Sequence, residues 1–82
     1  MFTGQTQRSI ELYQKQLTID REIGNRHGEG AALFNISQAL DKIGDFTNAR
    51  SQAEAALTIL EQIDDPNAVK VSEQMAKWRG NN

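Results

Sequence analysis

The stretch Gly30–Ile63 reads GAALFNISQALDKIGDFTNARSQAEAALTILEQI and contains the clearest structural pattern in the chain. Its first half places bulky apolar residues at steps of three and four, which predicts an amphipathic helix with one apolar stripe: Leu33, Ile36, Leu40 and Ile43. Gly44 suits the left-handed end of that helix, and Asp45 can cap the next one. The second half places small residues along one edge, where a neighbouring helix can approach closely: Ala49, Ala53 and Ala56. The stretch therefore predicts two helices joined by a tight turn.

The flanking segments extend the helical pattern in both directions. Helices are predicted over residues 6–23, 26–43, 46–63 and 66–79, with Asp65 capping the last and Pro66 at its first position. Aligning Leu17 with Leu57 also places Ile19 on Ile59 and Ile23 on Ile63, which indicates an internal repeat. We therefore expect one all-α domain over residues 1–82, consisting of the second helix of a partial repeat (6–23), a complete helical hairpin (26–63) and a C-terminal capping helix (66–79).

The composition excludes several classes of function. The 82 residues include no cysteine, which argues against zinc-finger, iron–sulfur and thiol chemistry, and no cofactor is expected. The net charge is −2 and the arginines are scattered among acids, so nucleic acid is not an expected partner. No apolar run approaches the roughly 20 residues that span a membrane, and no secretory signal is visible, so we expect a cytoplasmic protein.

The same residues resemble the tetratricopeptide repeat, in the longer form of roughly 40 residues found in kinesin light chain and in bacterial sensor proteins. The resemblance rests on the apolar stripe, on Gly44-Asp45-Phe46 with Ala49 three residues later, and on Ala56-Leu57. It implies antiparallel helical hairpins in a right-handed solenoid of about four helices. The sequence departs from the family pattern by having Gln16, Ser37, Leu40 and Ala53 at positions that usually hold alanine, glycine, tyrosine and an aromatic residue, respectively.

The resemblance also implies a binding surface. In this family the first helix of each hairpin lines a concave groove that holds a peptide or a partner helix, and the matching positions here are Ala31, Phe34, Asn35, Gln38, Asp41 and Lys42. Asn35 matches the family asparagine that hydrogen-bonds a peptide backbone, although an ordinary exposed asparagine is the alternative. Phe34 is either a ligand anchor or, as we favour, a packing contact with the first helix. The expected function is a non-catalytic protein–protein interaction module.

Two alternatives to a groove binder stay open. The chain could assemble with itself as a homodimer through an apolar stripe on its first helix, formed by Ile10, Tyr13 and Leu17. It could instead be the C-terminal part of a longer array in a signalling or regulatory protein.

Catalysis is not expected, because His27 has no neighbouring nucleophile in the sequence and is interpreted as a solvated linker residue. The pair Asp64-Asp65 is interpreted as a helix cap and not a metal site, and Trp78 is expected to pack on the core with Val71 and Met75. Asn81 and Asn82 are expected to fray.

Overall fold

The computed structural model describes residues 2–80, which form four α-helices and no strand. The helices are α1 (Phe2–Ile23), α2 (Arg26–Lys42), α3 (Phe46–Gln62) and α4 (Ala68–Gly80). The predicted all-α class is confirmed, and the fraying expected at residues 81 and 82 lies outside the described residues. Helix α1 begins four residues before the predicted start at Thr6. Helix α4 begins after Pro66 and Asn67, which form a turn instead of the first helical positions.

The three turns between helices share one geometry. Gly24, Gly44 and Asp64 all have a positive φ, of 73°, 85° and 55°, and they are evenly spaced along the chain. In each turn the next residue donates its backbone N–H to a carbonyl five residues earlier: Asn25 to Asp20 at 2.8 Å, Asp45 to Leu40 at 2.9 Å and Asp65 to Leu60 at 2.8 Å. This bond satisfies a carbonyl that the helix end leaves without a partner. Because the turns are alike, successive helices reverse direction in the same way.

Helix α2 lies at the centre of the packing. It contacts both α1 and α3, while α4 packs against α3. The buried apolar core draws on all four helices, and its members are Leu17, Ala32, Leu33, Ile36, Ala53, Ala56, Ile59, Leu60 and Val71. Met75 and Trp78 pack against this core, as predicted.

The interface between α2 and α3 is close because small residues form it. The predicted alanine edge of α3 is buried, with Ala49, Ala53 and Ala56 at most 1% exposed. On α2, a Cβ atom added to Gly30 would lie 2.6 Å from Cδ2 of Leu60, which is too close for an undisturbed contact. The absence of side-chain bulk on both sides therefore sets how near the two helices come.

The interface between α1 and α2 buries residues that were predicted to be available for self-association. Ile10 and Leu17, expected on a half-covered stripe available for self-association, are only 6% and 8% exposed. They line a recess together with Ile36 and Leu40 of α2. Tyr13, the third residue of that stripe, is half-buried. The stripe is thus part of the chain's own core, because α2 covers most of it.

Polar side chains stabilise the turn between α1 and α2. Asp20 is 2% exposed, and its Oδ1 accepts hydrogen bonds from Gln16 at 3.0 Å and Asn25 at 3.4 Å. The buried carboxylate of Glu29 binds Arg21 at 3.0 Å and Arg26 at 3.1 Å. These contacts set the position of the first turn of α2, from which the candidate site extends.

Candidate partner-binding groove

The face of α2 that points away from the core is open to solvent. Leu33, Ile36 and Ser37 are buried, whereas Ala31, Asn35 and Gln38 are exposed. The two groups alternate because a helix with 3.6 residues per turn separates them onto different faces. The polar face expected of the first helix in a hairpin is therefore present along α2.

A recess of about 240 Å³ lies on the α4 side of this face. Phe34 and Leu60 contribute apolar side chains to it. The polar side chains are three amides and one amine, from Asn35, Gln38, Asn67 and Lys70. Phe34 thus lines the α4 side of α2, where it also packs on the core, and not the contact with α1 that we favoured. This recess offers an apolar floor with polar groups around it.

A second recess, of about 110 Å³, lies on the α1 side of the same face. Its lining comes from α1 and α2: Thr6, Ser9, Tyr13, Asn35, Gln38, Ala39 and Lys42. A shallower hollow of about 470 Å³ adjoins it, lined by Gln5, Thr6, Ser9 and Lys42. Asn35 and Gln38 line both recesses, so the two recesses form one continuous surface across α2. We call this surface the groove.

Five of the six predicted groove residues line the groove, and one does not. Ala31, Phe34, Asn35 and Gln38 line the first recess, and Lys42 lines the second. Asp41, near the end of α2, lines neither recess and is half-buried.

Sequence reasoning missed the contribution of the flanking helices to the groove. Asn67 lies just before α4 and Lys70 in its first turn, while Thr6 and Ser9 belong to α1. The internal repeat contains a signal for the α4 side, because the alignment that places Leu17 on Leu57 also places α2 on α4.

Two polar contacts join the start of α2 to the end of α3 and to the turn that precedes α4. His27, interpreted from the sequence as a solvated linker residue, hydrogen-bonds the carboxylate of Asp65. Arg26 donates to the side chain of Gln62 at 2.6 Å. Asp65 also accepts the backbone N–H of Asn67 at 2.9 Å, and this bond, followed by the bond from His27, lowers the pKa of Asp65 below its ordinary value. Asp65 thus caps the turn before α4 and in addition ties it to α2.

The described residues limit the other chemistries that the chain could support. Across residues 2–80, no three or more histidine, cysteine, aspartate and glutamate side chains are grouped so that they could hold a metal ion. None of the helices in this range is both long and apolar enough to cross a membrane.

Comparison with known proteins agrees with the helical geometry. The family model for the tetratricopeptide repeat matches residues 1–62, which include α1, α2 and α3, while α4 follows the matched range. No curated protein and no solved structure gave a match. Tetratricopeptide repeats are protein–protein interaction modules and are in general non-catalytic. The paired helices, their repeated turns and the family match together place this chain in the tetratricopeptide repeat family.

Proposed function

We propose that this chain binds an extended segment of a partner polypeptide in the groove on α2, between α1 and α4. The observation that carries the proposal is the position of Asn35 and Gln38, which line both recesses. A carboxamide side chain can donate and accept at once, and so it matches the N–H and C=O groups of a peptide unit. Two such side chains, one turn apart, suit the backbone of a segment that crosses α2.

The apolar residues of the first recess suit a side chain of that segment. Phe34 and Leu60 line it without filling its volume of about 240 Å³. A small or medium apolar side chain that enters this recess would bury surface that is otherwise exposed to water, which is favourable at about 25 cal/mol per Å².

The charges in the groove favour an acidic segment. Lys42 lies at one end, in the second recess, and Lys70 lies in the first. Among the described residues that line these two recesses, none carries a carboxylate. Exposed cations of this kind mainly raise the rate of association and select the sign of the partner's charge. We therefore propose a partner segment that carries aspartate or glutamate on either side of one apolar residue.

The proposal can be tested with peptides selected on the whole chain from a random library. The dissociation constant of a selected peptide is measured by calorimetry with wild type, Asn35→Ala and Lys70→Glu. Loss of a hydrogen bond at Asn35 should weaken binding by about tenfold, which corresponds to roughly 1.4 kcal/mol. Lys70→Glu should weaken the binding of acidic peptides and strengthen that of basic ones.

Matched controls come from exposed residues that do not line the groove. Gln7→Ala removes an amide from α1, and Lys77→Glu reverses a lysine charge on the same helix as Lys70. Both should leave the dissociation constant unchanged. Equal losses in the control and groove variants, or selected peptides with no acidic preference, would contradict the proposal.

We make two further proposals, on the compartment in which the protein acts and on the form of its repeat. The absence of cysteine from all 82 residues is compatible with a reducing compartment, and we propose that the protein acts in the cytoplasm. The spacing of the internal repeat, from Leu17 to Leu57, supports assignment to the longer form of the repeat, as in kinesin light chain.

A further inference from the structure

The outer side of α1 carries three exposed apolar side chains. Leu12, Ile19 and Ile23 are 59%, 49% and 69% exposed. They lie at i, i+7 and i+11, so they share one face of the helix. We call these three residues the α1 strip. It differs from the stripe of Ile10, Tyr13 and Leu17, which lies toward α2.

The internal repeat shows what kind of neighbour the α1 strip lacks. The alignment that relates α1 to α3 places Ile19 on Ile59 and Ile23 on Ile63. Ile59 is only 8% exposed, because it packs against α2 near Gly30, whereas Ile63, just after the end of α3, is 37% exposed. The comparison therefore rests on Ile19 and Ile59. The α1 strip is therefore the face that another helix covers in the equivalent position of the same fold.

The charges beside the α1 strip indicate which helix could cover it. Arg8, Lys15 and Glu22 are exposed and follow one another at seven-residue spacing along one edge of the strip. In a second α1 packed in the parallel direction, this charged edge would face the opposite edge of the other strip, so Arg8 of one copy would not meet Glu22 of the other. The antiparallel direction, with a two-fold axis near Lys15 and Gln16, sets Arg8 of each copy against Glu22 of the other. In the antiparallel direction Lys15 of one copy also lies near Lys15 of the other, and this like-charge pair weakens the dimer.

The same antiparallel arrangement matches the apolar residues. Leu12 and Ile19 lie about equally far from the axis, so each Leu12 faces Ile19 of the second copy. An interface of this kind is self-complementary, as a two-fold dimer requires. We infer that α1 pairs antiparallel with α1 of a second copy of this chain through the α1 strip.

This dimer is independent of the proposed function. Leu12, Ile19 and Ile23 do not line either recess of the groove. Three apolar residues from each copy make a small contact compared with the roughly 1,200–2,000 Å² of a standard stable interface, so the dimer should form only at high protein concentration.

Sedimentation equilibrium over a wide range of protein concentration tests the pairing. Wild type should change from a mass of 9.2 kDa toward twice that value as concentration rises. Ile19→Asp should remain a monomer throughout. The matched control is Phe46→Asp, because Phe46 is also 59% exposed but lies at the start of α3. A wild type that stays monomeric at all concentrations, or equal behaviour of the two variants, would overturn the inference.

Charge reversal provides a second test that leaves the apolar residues intact. Arg8→Glu and Glu22→Arg should each weaken dimerisation, and the double variant should restore it, because both opposite-charge pairs return with reversed polarity. Additive weakening in the double variant would rule out the antiparallel register. Circular dichroism spectra that match wild type would show that each variant is folded.

Single cysteines test the direction of pairing, since the wild-type chain contains none. In a mixture of Leu12→Cys and Ile19→Cys under a glutathione redox buffer, the mixed disulfide dimer should dominate over either symmetric dimer. A dominant symmetric disulfide of Leu12→Cys would indicate parallel pairing and overturn the antiparallel arrangement.

Discussion

Helices α1 and α3 occupy equivalent positions in the repeat, yet they have different environments. α3 lies between α2 and α4 and buries five residues, whereas α1 packs against α2 and leaves Leu12, Ile19 and Ile23 exposed. The pair Ile19 and Ile59 shows the contrast most directly, with exposed fractions of 49% and 8% at matching positions. In a helical repeat, an apolar residue is therefore buried only where a neighbouring helix packs on it, whatever the pattern of its own helix.

The largest expected effect comes from the same substitution at both positions. Ile59→Ala should lower the free energy of unfolding by about 2–5 kcal/mol, because it leaves a cavity between α2 and α3. Ile19→Ala should cost less than about 1 kcal/mol, because its side chain is already half in water. Urea unfolding followed by circular dichroism, at a concentration where the chain is monomeric, measures both values. Equal losses of stability at the two positions would contradict the different burial of Ile19 and Ile59.

The close approach of α2 to α3 gives the second prediction. Gly30→Val should destabilise the fold by about 1–3 kcal/mol, because its Cβ would displace the buried side chain of Leu60. The control is Gly4→Val on α1, where an added Cβ meets nothing within 4 Å. Its unfolding midpoint should stay near that of wild type. A tolerated valine at Gly30 would mean that the helices do not need a glycine at their contact.

The turns that end α1 and α3 supply the third prediction. Gly24 has a φ of 73°, which glycine adopts without strain, but Asp64 holds a φ of 55° with a full side chain. Asp64→Gly should therefore raise the free energy of unfolding by up to about 1 kcal/mol, and Gly24→Asp should lower it by a similar amount. Thermal unfolding of the two variants, run side by side, checks the opposite signs. A shift in the same direction for both would show that φ does not decide these turns.

The smallest effect concerns the acid sensitivity of the tie between α2 and the start of α4. The pKa of Asp65 is lowered in the fold by the backbone N–H of Asn67 and by His27. Its contribution to stability is therefore present above its ordinary value of 3.8 and is lost as pH falls through the lowered folded value. Asp65→Asn should reduce the loss of stability in this acid range, as measured by unfolding midpoints between neutral pH and pH 2.

His27→Gln separates the two causes of that pKa change. The substitution removes the hydrogen bond from His27 to Asp65 but leaves the bond from the backbone of Asn67. The pH dependence of its stability should therefore lie between those of wild type and Asp65→Asn. A His27→Gln profile identical to that of Asp65→Asn would show that the histidine, and not the backbone, dominates.

Local sequence patterns were sufficient to predict the helices and the hairpin. The stripe from Leu33 to Leu40, the break at Gly44-Asp45 and the alanine edge of α3 act within a few residues, so propensity, capping and period all point to one structure. The groove residues on α2 were implied by the family resemblance, and the burial pattern agrees with it, because Asn35 and Gln38 lie on the face away from the buried residues. The start of α4 was predicted at Pro66, two residues too early. Asp65 accepts the N–H of Asn67 in a turn that precedes the helix, and the helix begins at Ala68.

Features that depend on contacts between distant helices could not be predicted in this way. The bond between His27 and Asp65 joins two different turns of the chain, and no local pattern distinguishes His27 from a solvated residue. The burial of Ile10 and Leu17 depends on which side of α1 faces α2, a choice that the two apolar strips of α1 leave open. Lys70 and Asn67 enter the groove only because the start of α4 lies beside α2.

The proposed binding of a partner polypeptide across the exposed face of α2 can be observed by nuclear magnetic resonance. Backbone amide chemical shifts of the isotope-labelled chain are recorded during titration with a selected acidic peptide. The largest shifts should cluster on Ala31, Phe34, Asn35, Gln38 and Lys70, while the α1 strip and the outer face of α3 stay unchanged. Shifts concentrated on Leu12, Ile19 and Ile23, with α2 unaffected, would contradict it.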